Sequence, residues 1–176
     1  MIDLALAKAH VRAEGSAEDE LLQAYIDAAA AHVEGVTGKL LTRREVVQDF
    51  ARFGNAFGDW LPLWWGPRPA DLSIDYLDTD AVAQTLVLGP FWGDRVYPMP
   101  TGWPTALDHS AIAVTYTAGF GDGVGETPVP ADLVQAQLML VAHWWTNREA
   151  VNVGNIVSEM SLAVDAILQR HRTVRI

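Results

Sequence analysis

The sequence contains no cysteine, which excludes a disulfide framework and any thiolate site. It has no run of about 18 uncharged apolar residues, so no membrane-spanning helix is predicted. The N-terminal residues lack a basic segment followed by a long apolar one, and we therefore expect no secretory signal. Together these features favour synthesis in the cytoplasm and predict no membrane partner.

Basic residues are scarce as well. Twelve lysines and arginines stand against 22 carboxylates, which gives a formal net charge of −10. A protein that binds DNA electrostatically normally has the opposite sign, so we expect no specific DNA binding. Three of the twelve basic residues, Arg170, Arg172 and Arg175, lie at the C-terminal end. Such a basic tip on an acidic body predicts docking on an acidic partner, and the alternative is a solvated, frayed C-terminus.

Helical patterns occupy both ends of the 176-residue chain. We expect a short N-terminal helix capped by Asp3, and a second helix that begins with a capping box at Ser16 and ends at Gly38. A long helix over 130–150 is apolar on most faces and is predicted to be central, and Ser158 is predicted to cap a last helix. The apolar stripe of the second helix consists of Leu22, Ile26, Ala29, Val33 and Val36.

The middle of the chain has a different pattern. Six short runs rich in β-branched and aromatic residues are separated by Gly, Pro, Asn and Asp, and Asp78-Thr79-Asp80 is a predicted hairpin turn. We therefore predict an α+β fold, mainly helical, in which a small antiparallel β unit over residues 42–118 is inserted into a helical bundle. The bundle consists of residues 1–41 and 129–176, and residues 1–176 are predicted to form a single domain.

The stretch TAGFGDGVGETPVP, residues 117–130, has the layout of a phosphate-binding loop because it joins a strand to a helix through alternating glycines. It does not match G-x-G-x-x-G from any of its glycines, and no lysine follows Lys39, which excludes a P-loop. Asp122 and Glu126 would also repel a phosphate. We therefore interpret the stretch as a mobile turn that needs positive φ angles.

No other pattern predicts a catalytic, cofactor or metal site. The five histidines do not recur at i, i+3 or i, i+4, and no serine lies in G-x-S-x-G. Asp75, Asp78 and Asp80 form a loose acidic cluster that could attract calcium. Because the glycine and glutamate of an EF-hand loop are missing, we interpret this cluster as a solvated turn.

Tryptophan is abundant, with seven residues in the chain. Those beside Gly and Pro in the β unit, such as Trp64, Trp65 and Trp92, exceed what so small a core can bury. Partly exposed aromatic residues are typical of protein interfaces. Stacking on another ligand is the alternative, so a carbohydrate- or peptide-binding module is the rival function.

Two parts of the sequence carry a family pattern. One is a strand ending in T-A-G-[YF]-G, then a variable loop, V-P and a helix of the form L-x-x-A-x-L-x-L-V-A-H-W-[YW]-x-N-R-E-A. The other is L-A-x-A-K-A-H-[LV]-R, then E-D-E-L-L-x-x-Y-I-x-A-A and V-E-x-x-T-G. The matching positions are Thr117 to Gly121, Val129, Pro130, Leu133, Ala136, Leu138, Leu140 to Trp145, Asn147 to Ala150, Leu4 to Arg12 with a slight shift at Leu6 and Ala7, Glu18 to Ala29, and Val33 to Gly38.

In their order and spacing these motifs resemble the phage head–tail connector (adaptor) proteins, in the branch of the phiE125-type neck proteins. The resemblance implies a structural protein, not an enzyme, that needs no cofactor. Such connectors form a ring, usually of twelve subunits, below the portal of an infectious phage, a prophage-encoded particle or a gene transfer agent. The ring extends the channel, through which DNA passes without specific binding, and docks a stopper or tail-completion protein at the virion neck.

The resemblance also suggests roles for polar residues. C-terminal segments in this family commonly reach toward the portal, so Arg170, Arg172 and Arg175 are predicted to contact the portal protein. Arg148 and Glu149 are predicted to lie at a subunit or helix contact, and the alternative is a pair within the helix or in solvent.

Overall fold

The computed structural model describes residues 2–54, 59–87, 93–148 and 162–173. Contacts divide the chain into two compact units, one formed by Met1–Leu41 with Gly121–Ile176 and the other by Thr42–Phe120. The structure is 36% helical and 24% strand, which confirms the predicted α+β class. The excess of helix over strand is smaller than a mainly helical class implies. The single-domain organisation stays a prediction.

The first unit is helical, and α3 is at its centre. Its elements are α1 (Leu4–Val11), α2 (Asp19–Thr37), α3 (Ala131–Thr146) and α4 (Leu162–His171). Helix α3 packs against each of the other three, as the sequence predicts. Its buried stripe consists of Leu133, Ala136, Gln137, Leu140 and Val141, which recur at helical spacing. Among the described residues, no helix is both long and apolar enough to cross a membrane.

Two of the predicted helix caps are confirmed. The Asp3 carboxylate accepts a hydrogen bond from the Leu6 N–H at 2.7 Å, which satisfies a free donor in the first turn of α1. Gly38 ends α2 in the left-handed conformation with φ 70°, and its N–H donates to the Glu34 carbonyl at 2.8 Å. The predicted cap Ser158 lies outside the described residues.

Two other helix ends differ from the prediction. The N-cap of α2 is Glu18 and not Ser16. Ser16 lies in the preceding turn, where its backbone carbonyl accepts a hydrogen bond from the Asp19 N–H at 3.3 Å. The predicted capping box is therefore wrong. Helix α3 ends at Thr146, before the predicted position, since Asn147 has non-helical φ and ψ angles of −115° and 67° and its side-chain amide donates to the His143 carbonyl at 2.9 Å. A short polar side chain that binds the backbone in this way competes with continuation of the helix.

The described residues of the second unit form six strands, one for each β-type run of the sequence. They are β1 (Arg44–Phe50), β2 (Leu61–Pro62), β3 (Ala70–Leu77), β4 (Ala83–Val87), β5 (Arg95–Val96) and β6 (Ile112–Ala118). Four of them form an antiparallel sheet in the order β1-β6-β3-β4, and β2 pairs with β5. The first and last strands of the unit are therefore neighbours, with Arg44 opposite Ala118 and Phe50 opposite Ile112.

A buried polar side chain connects the strands of this unit. Gln48 on β1 is 4% exposed, and its amide donates to the Pro62 carbonyl at 2.8 Å. Its carbonyl oxygen accepts from the Trp64 N–H at 3.1 Å and from the Tyr116 hydroxyl at 3.2 Å. That hydroxyl in turn accepts from the Trp65 N–H at 3.1 Å. Because each of these buried polar atoms has a partner, the network stabilises one arrangement of the core.

Candidate functional site

The glycine-rich stretch begins with a glycine that the backbone requires. Gly119 has a φ of 121°, and a Cβ at this position would lie 2.6 Å from the Thr42 carbonyl oxygen and 2.8 Å from the Arg43 Cα. Any larger residue would therefore clash with backbone that cannot move independently. This glycine is explained by the close passage of two chain segments and not by a ligand.

The rest of the loop is held by its own hydrogen bonds. The Glu126 carboxylate accepts from the Gly123 N–H at 2.8 Å, and the Gly121 N–H donates to the Thr127 carbonyl at 3.0 Å. A carboxylate of the chain itself thus occupies the position that a phosphate would need at the Gly123 amide, and the Gly121 amide is already paired with a backbone carbonyl. The geometry supports the interpretation of the stretch as a turn.

Two of the three C-terminal arginines lie among the described residues, and one of them is paired. The Arg170 guanidinium lies 3.3 Å from Asp132 Oδ2 in the first turn of α3, while 67% of its side chain remains exposed. The same carboxylate oxygen lies 2.7 Å from His171 Nε2. Arg172 is exposed, and Arg175 lies outside the described residues. Their contact with a portal protein stays a prediction.

The Asp132 carboxylate is the common partner in this cluster. The hydrogen bond with His171 holds the pKa of Asp132 below its ordinary value of 3.8. The charge on Arg170 and a hydrogen bond from the Leu133 N–H act in the same direction, and partial burial opposes them. The position near the start of α3 adds the favourable effect of the helix dipole on a negative charge.

Arg148 joins the end of α3 to the start of α2. Its guanidinium lies 2.5 Å from the carboxylate of Glu18, the N-cap of α2, and 4.4 Å from the centre of the Trp145 ring. The hydrogen bond from Arg148 lowers the pKa of Glu18 below 4.5. Glu149 lies outside the described residues. A role for Arg148 or Glu149 at a subunit contact stays a prediction.

An aromatic cluster next to this ion pair was not predicted. The Tyr25 ring lies 6.4 Å from the Trp144 ring and 6.5 Å from the Trp145 ring, in tilted and edge-on geometry. Both tryptophans are half-buried, so this end of the helical unit has an amphipathic surface. The two adjacent tryptophans of α3 are visible in the sequence, but no sequence pattern identifies Tyr25 as the residue that they contact.

The acidic cluster of the hairpin is a turn, as predicted. The Asp78 carboxylate accepts hydrogen bonds from the Asp80 N–H, the Val82 N–H and the Gln84 side chain. The hydrogen bond from the Val82 N–H is the main cause of the lowered pKa of Asp78. Asp75 is likewise bound to Thr85, so the β3–β4 turn uses these carboxylates itself.

The tryptophans of the second unit differ in their surroundings. Trp103 stacks on Phe53, with ring centres 4.9 Å apart and an angle of 15° between the planes. Trp64 packs near Phe50 but keeps 45% of its surface exposed, and Trp92 lies outside the described residues. Trp103 therefore serves packing, and the carbohydrate- or peptide-binding alternative rests on Trp64.

The N-terminal third of the chain is similar to a known protein family. Residues 1–56, which include α1, α2 and β1, match the family model of the Phage gp6-like head-tail connector protein. The resemblance to head–tail connectors is confirmed. The matched segment contains the N-terminal connector motifs that the sequence shows. No curated protein sequence matches the chain.

Similarity to solved structures extends over nearly the whole chain. A chain in the neck of an empty gene transfer agent (GTA) particle, computed with C6 symmetry, matches 99% of this chain and 91% of its own length, with a TM-score of 0.77 and 25% identity. A chain in the virion of a native GTA particle has a TM-score of 0.75 and 27% identity, with the same coverage. A chain in the neck of a native GTA particle, computed with C12 symmetry, matches 100% of this chain and 94% of its own length, with a TM-score of 0.70 and 25% identity. The similarity therefore includes both units.

Proposed function

We propose that the protein is a structural head–tail connector in the neck of a tailed phage or phage-like particle. It acts by assembly, without catalysis or a cofactor. The observation that carries this proposal is the similarity of 99% of the chain, at a TM-score of 0.77, to a chain in the neck of a gene transfer agent particle. The match of residues 1–56 to the connector family supports it independently, because that match rests on sequence.

The connector forms a ring below the portal and extends the DNA channel. Necks that contain similar chains were computed with C6 and C12 symmetry, and a ring of twelve subunits satisfies both. Such a ring requires heterologous contacts that close on themselves. A net charge of −10 suits a channel, because a negative wall repels phosphate and lets DNA slide.

The C-terminal arginines contact the portal protein in this proposal. Arg172 is exposed, and Arg170 keeps two thirds of its side chain exposed beside Asp132. Both can therefore meet acidic groups of a partner while α4 stays in place. On the tail side the ring docks a stopper or tail-completion protein.

The function is tested by deleting the gene and imaging the particles. We expect DNA-filled heads and separate tails without the protein, and joined particles when the wild-type chain is supplied. A label on the chain should lie at the head–tail junction. Normal joined particles in its absence would contradict the proposal.

The portal contact is tested by neutralising charges without shortening the chain. Truncation after Gln169 would also remove His171 and Thr173, which hold the C-terminal segment to the helical unit. We therefore compare R172Q/R175Q with R12Q/R52Q, which removes two exposed positive charges elsewhere. The first pair should weaken capture of the chain by portal-bearing heads and the second should not. Equal capture of both would contradict the contact.

A further inference from the structure

Strand β4 forms one edge of the four-stranded sheet, and nothing in its sequence protects that edge. The side chains of Ala83, Gln84 and Thr85 are exposed, and no charged residue occurs between Asp80 and Asp94. Natural edge strands normally carry a charge or a proline that prevents pairing with another chain. Strand β4 has neither, and within the described part of the chain no strand pairs with its outer side.

Strand β1 forms the opposite edge and runs in the opposite direction. All pairings in the order β1-β6-β3-β4 are antiparallel, so β1 and β3 share one direction while β6 and β4 share the other. A β1 strand from a second copy, placed beside β4 in the same orientation, therefore continues the antiparallel alternation. Each face of the sheet in one copy then continues into the corresponding face of the sheet in the other copy.

The side chains at the two edges are compatible with this pairing. Leu86 of β4 lies opposite buried Ile74, and Val46 and Phe50 of β1 lie on the same face of the sheet. All three edge side chains are only half-buried in the single chain. Pairing of β4 with β1 would bring Leu86 beside Val46 or Phe50 and remove this apolar surface from water. On the other face, Thr85 would meet Val47, which is 60% exposed.

Pairing of β1 with a second β1 is disfavoured by charge. An antiparallel pair centred on Val47 places Glu45 opposite Asp49 twice, and like charges directly opposite each other are destabilising. Strand β4 has no charge that would repel either carboxylate. The preferred partner of β1 is therefore β4, which makes the contact head-to-tail.

We propose that β4 of one subunit pairs with β1 of the next, so that the sheets of the ring join edge to edge. This inference rests on the ring of the proposed function. A head-to-tail contact of this kind uses two different surfaces of each subunit, which is the geometry that closes into a ring. It also gives every subunit, including the last, a cover for its exposed edge.

The absence of native cysteine allows a direct cross-linking test. Directly opposite residues of antiparallel strands have Cβ atoms about 4.5–5.5 Å apart, close to the spacing that a disulfide bridges. We would place Thr85→Cys together with Glu45→Cys, Val47→Cys or Asp49→Cys, which sample three registers on one face. The matched control is V47C/S73C, because Ser73 lies on the central strand β3 and not at an edge. Each variant is oxidised as full-length chain in assembled rings or particles and run on a denaturing, non-reducing gel.

We expect a ladder of covalent oligomers from at least one of the three edge pairs and none from V47C/S73C. Circular dichroism of the reduced variants establishes that they are folded. Rings that form in all variants without a ladder would overturn the edge pairing and leave the connector function standing. Dimers from T85C alone, at the yield of the double variants, would replace it with pairing of β4 to β4. If the wild-type chain forms no ring even in particles, both the function and the edge pairing fall.

Discussion

His171 Nε2 lies 2.7 Å from Asp132 Oδ2, which connects the last turn of α4 to the first turn of α3. Two residues further on, the Thr173 N–H donates to the Thr37 carbonyl at the end of α2 at 2.9 Å. The C-terminal segment is therefore held by polar contacts at the ends of two helices, beside the buried side chains Val164 and Leu168. Asp132 connects sequence positions 39 residues apart.

Substitution of Asp132 by Asn should lower the free energy of unfolding by about 1 kcal/mol at neutral pH, because a partly exposed ion pair and a helix-dipole interaction are lost. The folded-state pKa of Asp132 is below 3.8, so its contribution is present above that pH and is lost as pH falls through the lower folded value. Urea denaturation from neutral pH down to about pH 2 should therefore show wild type and D132N converging in acid. The control D122N, in the exposed glycine-rich loop, should follow wild type throughout. A difference that persists unchanged at the lowest pH would rule out this origin.

Gly119→Ala should destabilise the protein by about 2–3 kcal/mol, because the new Cβ meets the Thr42 carbonyl at 2.6 Å in a backbone conformation unsuited to alanine. Gly35, within α2, has no atom within 4 Å of an added Cβ. Gly35→Ala should therefore stabilise by about 0.5–1 kcal/mol. Thermal unfolding followed by circular dichroism measures both, and equal shifts in the same direction would refute the structural explanation.

Gln137→Met should stabilise the helical unit by about 1 kcal/mol. Gln137 is fully buried, and its Oε1 has no hydrogen-bond partner among the described residues. Gln48→Met is the matched control, since it removes a buried glutamine whose amide has partners on both sides, and it should cost about 2–3 kcal/mol. Denaturant titrations of the two variants should move in opposite directions. Loss of stability in Q137M would contradict this expectation and would mean that the hydrogen bond from Gln137 Nε2 to the Leu133 carbonyl, at 3.4 Å, outweighs the unpaired Oε1.

Arg148→Gln should reduce ring assembly more than Glu18→Gln does, if Arg148 also contacts a neighbouring subunit. Both substitutions remove the same ion pair within the chain, so they should change the unfolding temperature in the same direction. Ring yield by sedimentation separates the two roles, since only R148Q would lose the second contact. Equal ring yields would leave Arg148 with the helix contact alone.

The sequence predicts most elements of the fold because their signals are local. Asp3 and Gly38 act as caps through their own backbone neighbours, and the six β-type runs alternate with clear turn residues. The predicted capping box at Ser16 is wrong because the Ser16 carbonyl accepts the Asp19 N–H in a turn, and the predicted end of α3 is wrong because the Asn147 side chain binds the His143 carbonyl.

The contacts of the candidate site were beyond local reasoning. Arg148 meets Glu18 across 130 positions of sequence, and Asp132 meets His171 only because α3 and α4 pack together. The resemblance to connectors identified the arginines of interest without identifying the carboxylates that they face. The residue types predict which side chains of the site are charged, but which charged side chains pair with each other depends on the tertiary fold.

The adjacency of β1 and β6 has a consequence for how such chains can change. The unit from Thr42 to Phe120 begins and ends on paired strands, with Arg44 opposite Ala118, so its two attachment points lie side by side. Sequence between them can lengthen, shorten or be exchanged for another module without altering the gap that the flanking helices must bridge. The unit can in this respect be exchanged as a whole within one helical frame.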